Sequence, residues 1–282
     1  MIHRLAVVGV GLLGGSVALA ARARKVAGEI VGVGRDAARL AGALRDGAID
    51  RATTDLAQGV AGADLVVLGA TVAANEALLE RVWASVSDGA IVTDVGSTKR
   101  SIVHAAERLA ATRPCAFVGS HPMAGSERSG YAASRADLFD GALVIVTPTD
   151  ATEPRAVKGI TAFWEALGAR VTALDPVTHD RGVAAISHLP NLVAHALMAA
   201  VARDGAEALP LAARGFRDTT RIAASDPRMW TDIFLDNRDV LLPRVAEFRR
   251  ALDELEALIR AGDRAAIEAA LARIKAAREE LA

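Results

Sequence analysis

His3-Arg-Leu-Ala-Val-Val-Gly9-Val-Gly11-Leu-Leu-Gly14-Gly-Ser16 decides the fold. The apolar run before Gly9 reads as a buried strand, and Ser16–Ala23 continues as an alanine-rich helix. G-x-G-x-x-G between a strand and a helix is the arrangement that holds a dinucleotide. Gly9 permits the tight turn, Gly11 lets the backbone approach a pyrophosphate, and Gly14 allows close packing of helix on strand. Leu12 and Leu13 complete the loop, where the helix N-terminus favours negative charge.

The strand pattern continues outward from this loop. Glu29–Val33 is the second strand, and it ends Gly32-Val-Gly34-Arg35-Asp36. An acidic residue usually stands here to bind the ribose 2′-hydroxyl of NAD. Gly34 occupies that place and Arg35 follows, so the stretch leans toward the 2′-phosphate of NADP. Asp36 is the alternative ligand for a hydroxyl, and a solvated Arg35 is the alternative for the arginine. Ala63–Leu68 and Ala90–Asp94 are further strands. Thr71 follows the first of them and Asp94 ends the second, both near where the cofactor should lie. Ser97 reads as a cap for a helix over Lys99–Ala111. Ala116–Val118, Ala142–Thr147 and Ala169–Leu174 are strands, with a helix over Ala156–Leu167. Strands alternating with helices predict a Rossmann-type, doubly wound parallel α/β sheet over residues 1–175. Asp175-Pro176 marks the boundary to an all-α part over 176–282.

Two polar stretches interrupt these patterns. Gly119-Ser-His-Pro-Met-Ala-Gly-Ser-Glu-Arg-Ser-Gly130 follows the end of a strand, where an open α/β sheet places its chemistry. His121 is its candidate catalytic residue. In the helical half, Ser187-His188-Leu-Pro190-Asn191 and His195 lie within a long apolar helix over Asp180–Ala202. His188, Asn191 and His195 share one face, and His188 is read as an active-site residue. His3, His104 and His179 are read as surface or locally bonded. Further on, Gly215–Trp230 holds Arg217, Asp218, Arg221 and Asp226. Arg221 can grip a carboxylate through two parallel hydrogen bonds, and Asp226-Pro227 reads as a helix start. Phe248, Leu252, Leu255 and Ile259, then Ile267, Leu271 and Ile274, form apolar stripes expected to pack against a second copy.

Composition narrows the class. The 282 residues carry a net charge of −1 and one cysteine, Cys115. That balance gives no electrostatic case for nucleic acid or an anionic membrane. One cysteine excludes an internal disulfide and fits a reducing compartment. No apolar run is expected to span a membrane, the N-terminus has no signal-peptide layout, and no Cys/His cluster offers a metal site. The expectation is a cytoplasmic protein acting on a small molecule.

Taken together, the motifs resemble prephenate/arogenate dehydrogenase, an enzyme of tyrosine biosynthesis. The resemblance covers nearly the whole chain. It rests on Val8-Gly-Val-Gly-Leu-Leu-Gly-Gly-Ser16, Asp94-Val-Gly-Ser-Thr-Lys99, Gly119–Gly130, Ser187-His-Leu-Pro190 and Phe216–Trp230. It implies a nucleotide-binding domain, a helical dimerisation domain and oxidative decarboxylation of a cyclohexadienol with hydride transfer to NAD or NADP. By the match, His121 would hydrogen-bond the ring hydroxyl, Ser97 would help orient it, Arg221 would bind the ring carboxylate, and His188 would be a second active-site histidine. Ser126, Glu127, Arg217, Asp218 and Trp230 match pocket or entrance positions. The chain is expected to lack the regulatory ACT domain and the chorismate mutase fusion of some relatives. Another two-domain dehydrogenase of a small hydroxy or imino acid would explain the glycine loop, but not the His121 and Arg221 stretches together. A catalytically silent nucleotide sensor would need neither of those stretches.

Overall fold

The computed structural model describes residues 2–203 and 205–281. The strands are β1 (Ile2–Val8), β2 (Ala27–Val33), β3 (Arg51–Thr53), β4 (Leu65–Leu68), β5 (Ile91–Asp94), β6 (Ala116–Pro122), β7 (Leu143–Thr147) and β8 (Arg170–Ala173). They form one sheet in the order 3-2-1-4-5-6-7-8. Helices α1 (Leu12–Ala23), α2 (Ala37–Arg45), α3 (Leu56–Val60), α4 (Val72–Ser85), α5 (Arg100–Ala110) and α6 (Pro154–Ala166) connect them.

Alternation along the strands divides the core into two layers. Leu5 and Val7 of β1 pack with Val17 and Ala21 of α1 and with Phe163 and Trp164 of α6. Ala6 and Val8 face the other way, toward Val60 of α3, Leu79 and Trp83 of α4 and Ile102 of α5. Helices therefore cover both faces, which is why these strands are almost wholly apolar.

The sheet departs from the expected all-parallel arrangement at one place. β6 pairs in parallel with β5 over its first three residues, then antiparallel with β7 from Gly119 to Pro122. The reason lies in the connection. Parallel neighbours need a crossover, usually a helix, but between β6 and β7 the described structure has only a short 3-10 turn, Tyr131–Ala133. The chain therefore turns back beside β6. α6 then restores a parallel crossover from β7 to β8. β3, a short and largely exposed edge strand, went unread because its three residues carry no apolar pattern.

The helical part begins where Asp175 caps α7 (Pro176–Val183), accepting hydrogen bonds from the amides of Val177 and Thr178. The long helix expected here runs from Pro176 to Ala202 and carries an irregular turn. A π-helical turn over Ala184–His188 precedes α8 (Leu189–Ala202), and Leu189 N–H reaches back five residues to Ala184 O. Pro190, which has no N–H to give, follows directly. By length and composition Pro176–Ala202 is apolar enough to cross a membrane, contrary to the expectation from sequence. Only 28% of that stretch is buried, and its buried residues include the polar His179, Asp180, His188 and Asn191. α9 (Gly205–Ala208), α10 (Arg214–Thr220) and α11 (Pro227–Asp236) follow. Asp226 caps α11 as expected, with Pro227 at its first position.

The chain forms two compact units, Met1–Asn237 and Arg238–Ala282. The second holds α12 (Arg238–Ala261) and α13 (Arg264–Glu279), joined at Gly262, whose φ of +66° suits glycine, and at Asp263, which caps α13. Leu252, Ile259, Leu271 and Ile274 of the two stripes are each more than half exposed.

Gly14 tests the closeness of α1 to β1. A Cβ there would lie 2.1 Å from the carbonyl oxygen of Gly9, so backbone would have to move. Gly14→Ala is expected to destabilise the protein by about 1–3 kcal/mol, read as a lower midpoint in urea. An unchanged midpoint would contradict this packing.

Candidate active site

The glycine loop meets the geometric demands of a dinucleotide. Gly9 has φ of +96°, and a Cβ on it would strike the backbone of Gly69 and Ala70, which lead out of β4. These neighbours put the loop at the β1/β4 switch in strand order, where open α/β sheets bind ligands. A Cβ on Gly11 would meet nothing within 4 Å, so the backbone is open on that side. Gly11 is also the N-cap of α1 and offers no side-chain bond to the first amides, of which Leu12 and Leu13 are the leading pair. The donor set and the open backbone both fit a bound pyrophosphate.

At the adenosine end, Arg35 is exposed. Asp36 is engaged as the N-cap of α2, accepting from Ala38 N–H at 2.8 Å. A side chain at Gly34 would press on buried Leu40, with Cβ contacts of 3.1–3.4 Å, so Leu40 would have to give by a few tenths of an ångström. Thr71 stands exposed at the N-cap of α4 and makes no capping bond. Asn75 is buried and ties the turn after β4, accepting from Ala70 N–H and donating to Leu68 O.

Asp94 does not reach toward a cofactor as expected. It is buried, with one oxygen against Lys99 Nζ and Gly96 N–H and the other accepting from Ser120 N–H. Lys99 is wholly buried, so this is an ion pair away from water. Nor does Ser97 cap α5. Lys99 is the N-cap, and the amides of Lys99 and Arg100 donate instead to the carboxylate of Asp180, at 2.8 and 3.0 Å. A carboxylate at a helix N-terminus suits the local dipole. Ser97 is half-buried in the turn just before.

His121 lies on the extended end of β6 and is 7% exposed. Its Nδ1 is 2.9 Å from Nε2 of His179, whose Nδ1 is 2.8 Å from Oδ1 of Asp180. Asp180 also takes Arg100 Nε at 3.1 Å. His179, read from sequence as surface or locally bonded, is in fact buried and joined to His121. The available signal was a His-Asp pair just inside a helix start in apolar surroundings. Asn237 also escaped notice. It donates to Asp180 O, lies 3.2 Å from His188 Nδ1, and accepts from Arg100.

Burial dominates the electrostatics. It pushes the His121 pKa well below the usual histidine value, and the charges of His179, Lys99 and His188 push it further. His188 is lowered to about 4, again chiefly by burial. Burial works against the charge of Asp180, yet hydrogen bonds from His179 and from the amides of Arg100 and Lys99 hold its pKa below the ordinary carboxylate value.

Arg221 reaches Glu127 across 94 positions of sequence, with Nη1 3.2 Å from Oε2. Ser126 accepts from Arg128 N–H. Trp230 stacks edge-on to His188, with centroids 6.1 Å apart. Nε1 of Trp230, Nε2 of His188 and Oδ1 of Asn191 are buried without a protein partner among the described residues, as groups that meet a ligand often are. Asp218 instead pairs with Arg214 at the surface, and Arg217 donates to Ala212 O. His195 bonds Asn191 O on its own helix.

Residues 17–173 match the nucleotide-binding domain of prephenate dehydrogenase, and residues 175–273 match its dimerisation domain. The chain belongs to the prephenate dehydrogenase family. The prephenate dehydrogenase of Bacillus subtilis is 36% identical over 260 residues, covering 90% of this chain and 70% of that protein. The cyclohexadienyl dehydrogenase of Zymomonas mobilis is 35% identical, covering 92% and 89%. Among solved structures, prephenate dehydrogenase from Aquifex aeolicus in complex with hydroxyphenyl propionate and NAD+ superposes with a TM-score of 0.92 at 33% identity, covering 100% of this chain and 99% of that one. Arogenate dehydrogenase from Synechocystis gives a TM-score of 0.82 at 32% identity, covering 99% and 100%. As a member of the prephenate dehydrogenase family, the chain is a dehydrogenase that uses a nicotinamide dinucleotide.

Burial of neutral histidine has a pH signature. Unfolded imidazoles titrate near 6.5, so below that pH the unfolded chain binds protons that folded His121 and His188 do not. Their contribution is complete above pH 6.5 and declines as pH falls toward 4. For His188 alone, the shift from 6.5 to about 4 corresponds to about 3 kcal/mol. The urea midpoint is therefore expected to fall between pH 7.5 and pH 4.5. An equal midpoint at both pH values would contradict this assignment.

Proposed function

We propose that this protein catalyses the oxidative decarboxylation of prephenate to 4-hydroxyphenylpyruvate, of arogenate to tyrosine, or of both, in tyrosine biosynthesis. The observation that carries the reading is a buried, neutral His121 with one ring nitrogen already engaged, in a chain whose relatives bear these names. It works as a cytoplasmic homodimer through its C-terminal helices, a reading supported by the dimerisation-domain match and the exposed stripes.

A nicotinamide dinucleotide held by the Gly9–Gly14 loop would supply the acceptor for the hydride of the ring carbinol carbon. Nε2 of His121 takes the hydroxyl proton as the C–O bond becomes a carbonyl, a task suited to a neutral imidazole. Loss of CO2 from the opposite ring carbon sends its electron pair through the ring to that oxygen. The oxygen regains a proton and the ring becomes aromatic. Arg221 holds the ring carboxylate and so fixes the ring against His121, where orientation counts for more than charge. Ser97 orients the reacting hydroxyl, and His188 contributes its unpartnered Nε2. Ser126, Glu127, Arg217, Asp218 and Trp230 shape the pocket and its entrance.

NADP is the preferred cofactor on this reading. Support comes from exposed Arg35, from the engagement of Asp36 as a cap, and from the glycine that stands at position 34 in place of the usual acid. Arg35→Ala is expected to raise KM for NADP by about tenfold or more with little effect on NAD, the loss of one charge-assisted contact being worth about 1.5–3 kcal/mol. An equal effect on both cofactors would reject the assignment.

The central test is initial rate with prephenate or arogenate, each with NAD or NADP. Turnover in at least one combination is expected. His121→Asn should lower kcat by about 100-fold or more with modest change in KM, and Arg221→Gln should act mainly on KM. The wild-type acid limb in kcat/KM should lie below pH 6.5, because the base stays unprotonated there. No turnover in any combination, or near-normal turnover by His121→Asn, would overturn the reading.

A further inference from the structure

We propose that His179 is a positioning residue for His121, and that it and Asp180 form a relay that sets the tautomer of the base and shares the proton it removes. The inference rests on His121 as the base.

The argument follows the direction of the hydrogen bonds. A carboxylate can only accept. Asp180 Oδ1 therefore accepts from Nδ1–H of His179 at 2.8 Å. Neutral His179 then carries no proton on Nε2, and that nitrogen accepts from Nδ1–H of His121 at 2.9 Å. Neutral His121 is left with a bare Nε2, which is the lone pair a base needs. A buried ring without this chain would choose between two tautomers, only one of which is useful.

The surroundings give the relay a second task. His121 faces Lys99 at the start of α5 and His188 in the π turn, and both disfavour positive charge on it. Asp94 of β5 is engaged with that lysine. Asp180 is the carboxylate that faces this pair of rings, and it faces His179 directly. When the substrate hydroxyl proton bonds to Nε2 of His121, the Nδ1 proton of His121 passes to Nε2 of His179. The positive charge then rests on the ring beside Asp180. The transfer reverses when the ring oxygen of the product regains its proton, so no other reactant is consumed. Asp180 is itself fixed by the two α5 amides and by Arg100, so the relay is anchored to backbone. Charge-assisted, buried hydrogen bonds of this kind are strong and directional.

The test compares wild type, His179→Gln and His179→Ala in steady-state kinetics across pH, with circular dichroism and urea unfolding as checks on folding. Glutamine can bond His121 but cannot take up a proton. The expected result for His179→Gln is a kcat loss of at least about tenfold with KM for both substrates within about threefold. Its acid limb in kcat/KM should move to lower pH, because a proton on His121 can then no longer pass to the ring beside Asp180, while burial, Lys99 and His188 still oppose charge there. Imidazole added to His179→Ala should restore part of kcat. Wild-type kcat in His179→Gln, or losses in both variants with an unmoved acid limb and no rescue, would overturn the relay and leave His179 a packing residue. Loss of activity in His121→Asn alongside wild-type His179→Gln would reject the relay while keeping the base. Near-normal His121→Asn would reject the base itself.

Discussion

The carboxylate of Asp180 is the constraint on which the site depends. It is 1% exposed and takes donors from three sources: the ring of His179, the first amides of α5, and the guanidinium of Arg100. A buried carboxylate without such donors would cost several kcal/mol and would be protonated instead. The same group thus caps one helix, orients a catalytic ring through another, and fixes where α7 meets the sheet. Its neighbour Asn237 carries the network on to His188 by donating to the Asp180 carbonyl. Acid, base, helix start and second histidine are therefore one hydrogen-bonded unit.

The strand switch at β6 brings the substrate half of the site to this unit. Had β6 ended at Val118 as a purely parallel strand, His121 would sit on a loop. Pairing of Ser120 and His121 with Val146 and Ile145 of β7 holds it in extended backbone instead. Alternation then sorts the neighbours. Ser120 turns to one face, against Thr93 Oγ1 at 2.8 Å and Trp164 Nε1 at 3.1 Å. His121 turns to the other, as does Gly119, where a Cβ would lie 2.4 Å from Thr147 Oγ1 and 3.2 Å from the Lys99 side chain. A catalytic group on a sheet is held more tightly than one on a loop, and glycine at 119 leaves room for Lys99 beneath it.

Legibility from sequence followed the range of the interactions. The glycine loop, the cap at Asp226 and most strands are specified within a few residues, and local pattern found them. β3 is too short and too polar to show a period. The antiparallel step was hidden because it depends on the absence of a helix between Gly125 and Asp140, not on β7 itself. Ser97 looked like a cap because serine before a helix usually is one. The acceptor that caps the first α5 amides, Asp180, lies 80 positions from Arg100. His179 was misread for the same reason: nothing local separates a surface histidine from one that faces His121 across 58 positions.

The two halves of the site differ in how they handle charge, and this has a mechanistic consequence. Toward the cofactor, the sheet offers backbone amides and glycine, with the ion pair of Asp94 and Lys99 turned inward. Toward the substrate, it offers neutral rings above a fixed carboxylate. Lys99 connects the halves, since it neutralises Asp94 and adds to the burial that keeps His121 uncharged. An uncharged His121 costs little to bury and stays ready to accept a proton. The charge that arises during turnover is directed to the side where Asp180 already waits. Preorganised charge of this kind stabilises a transition state without rearrangement, and the cost falls at acidic pH, where the unfolded chain binds protons that buried His121 and His188 do not.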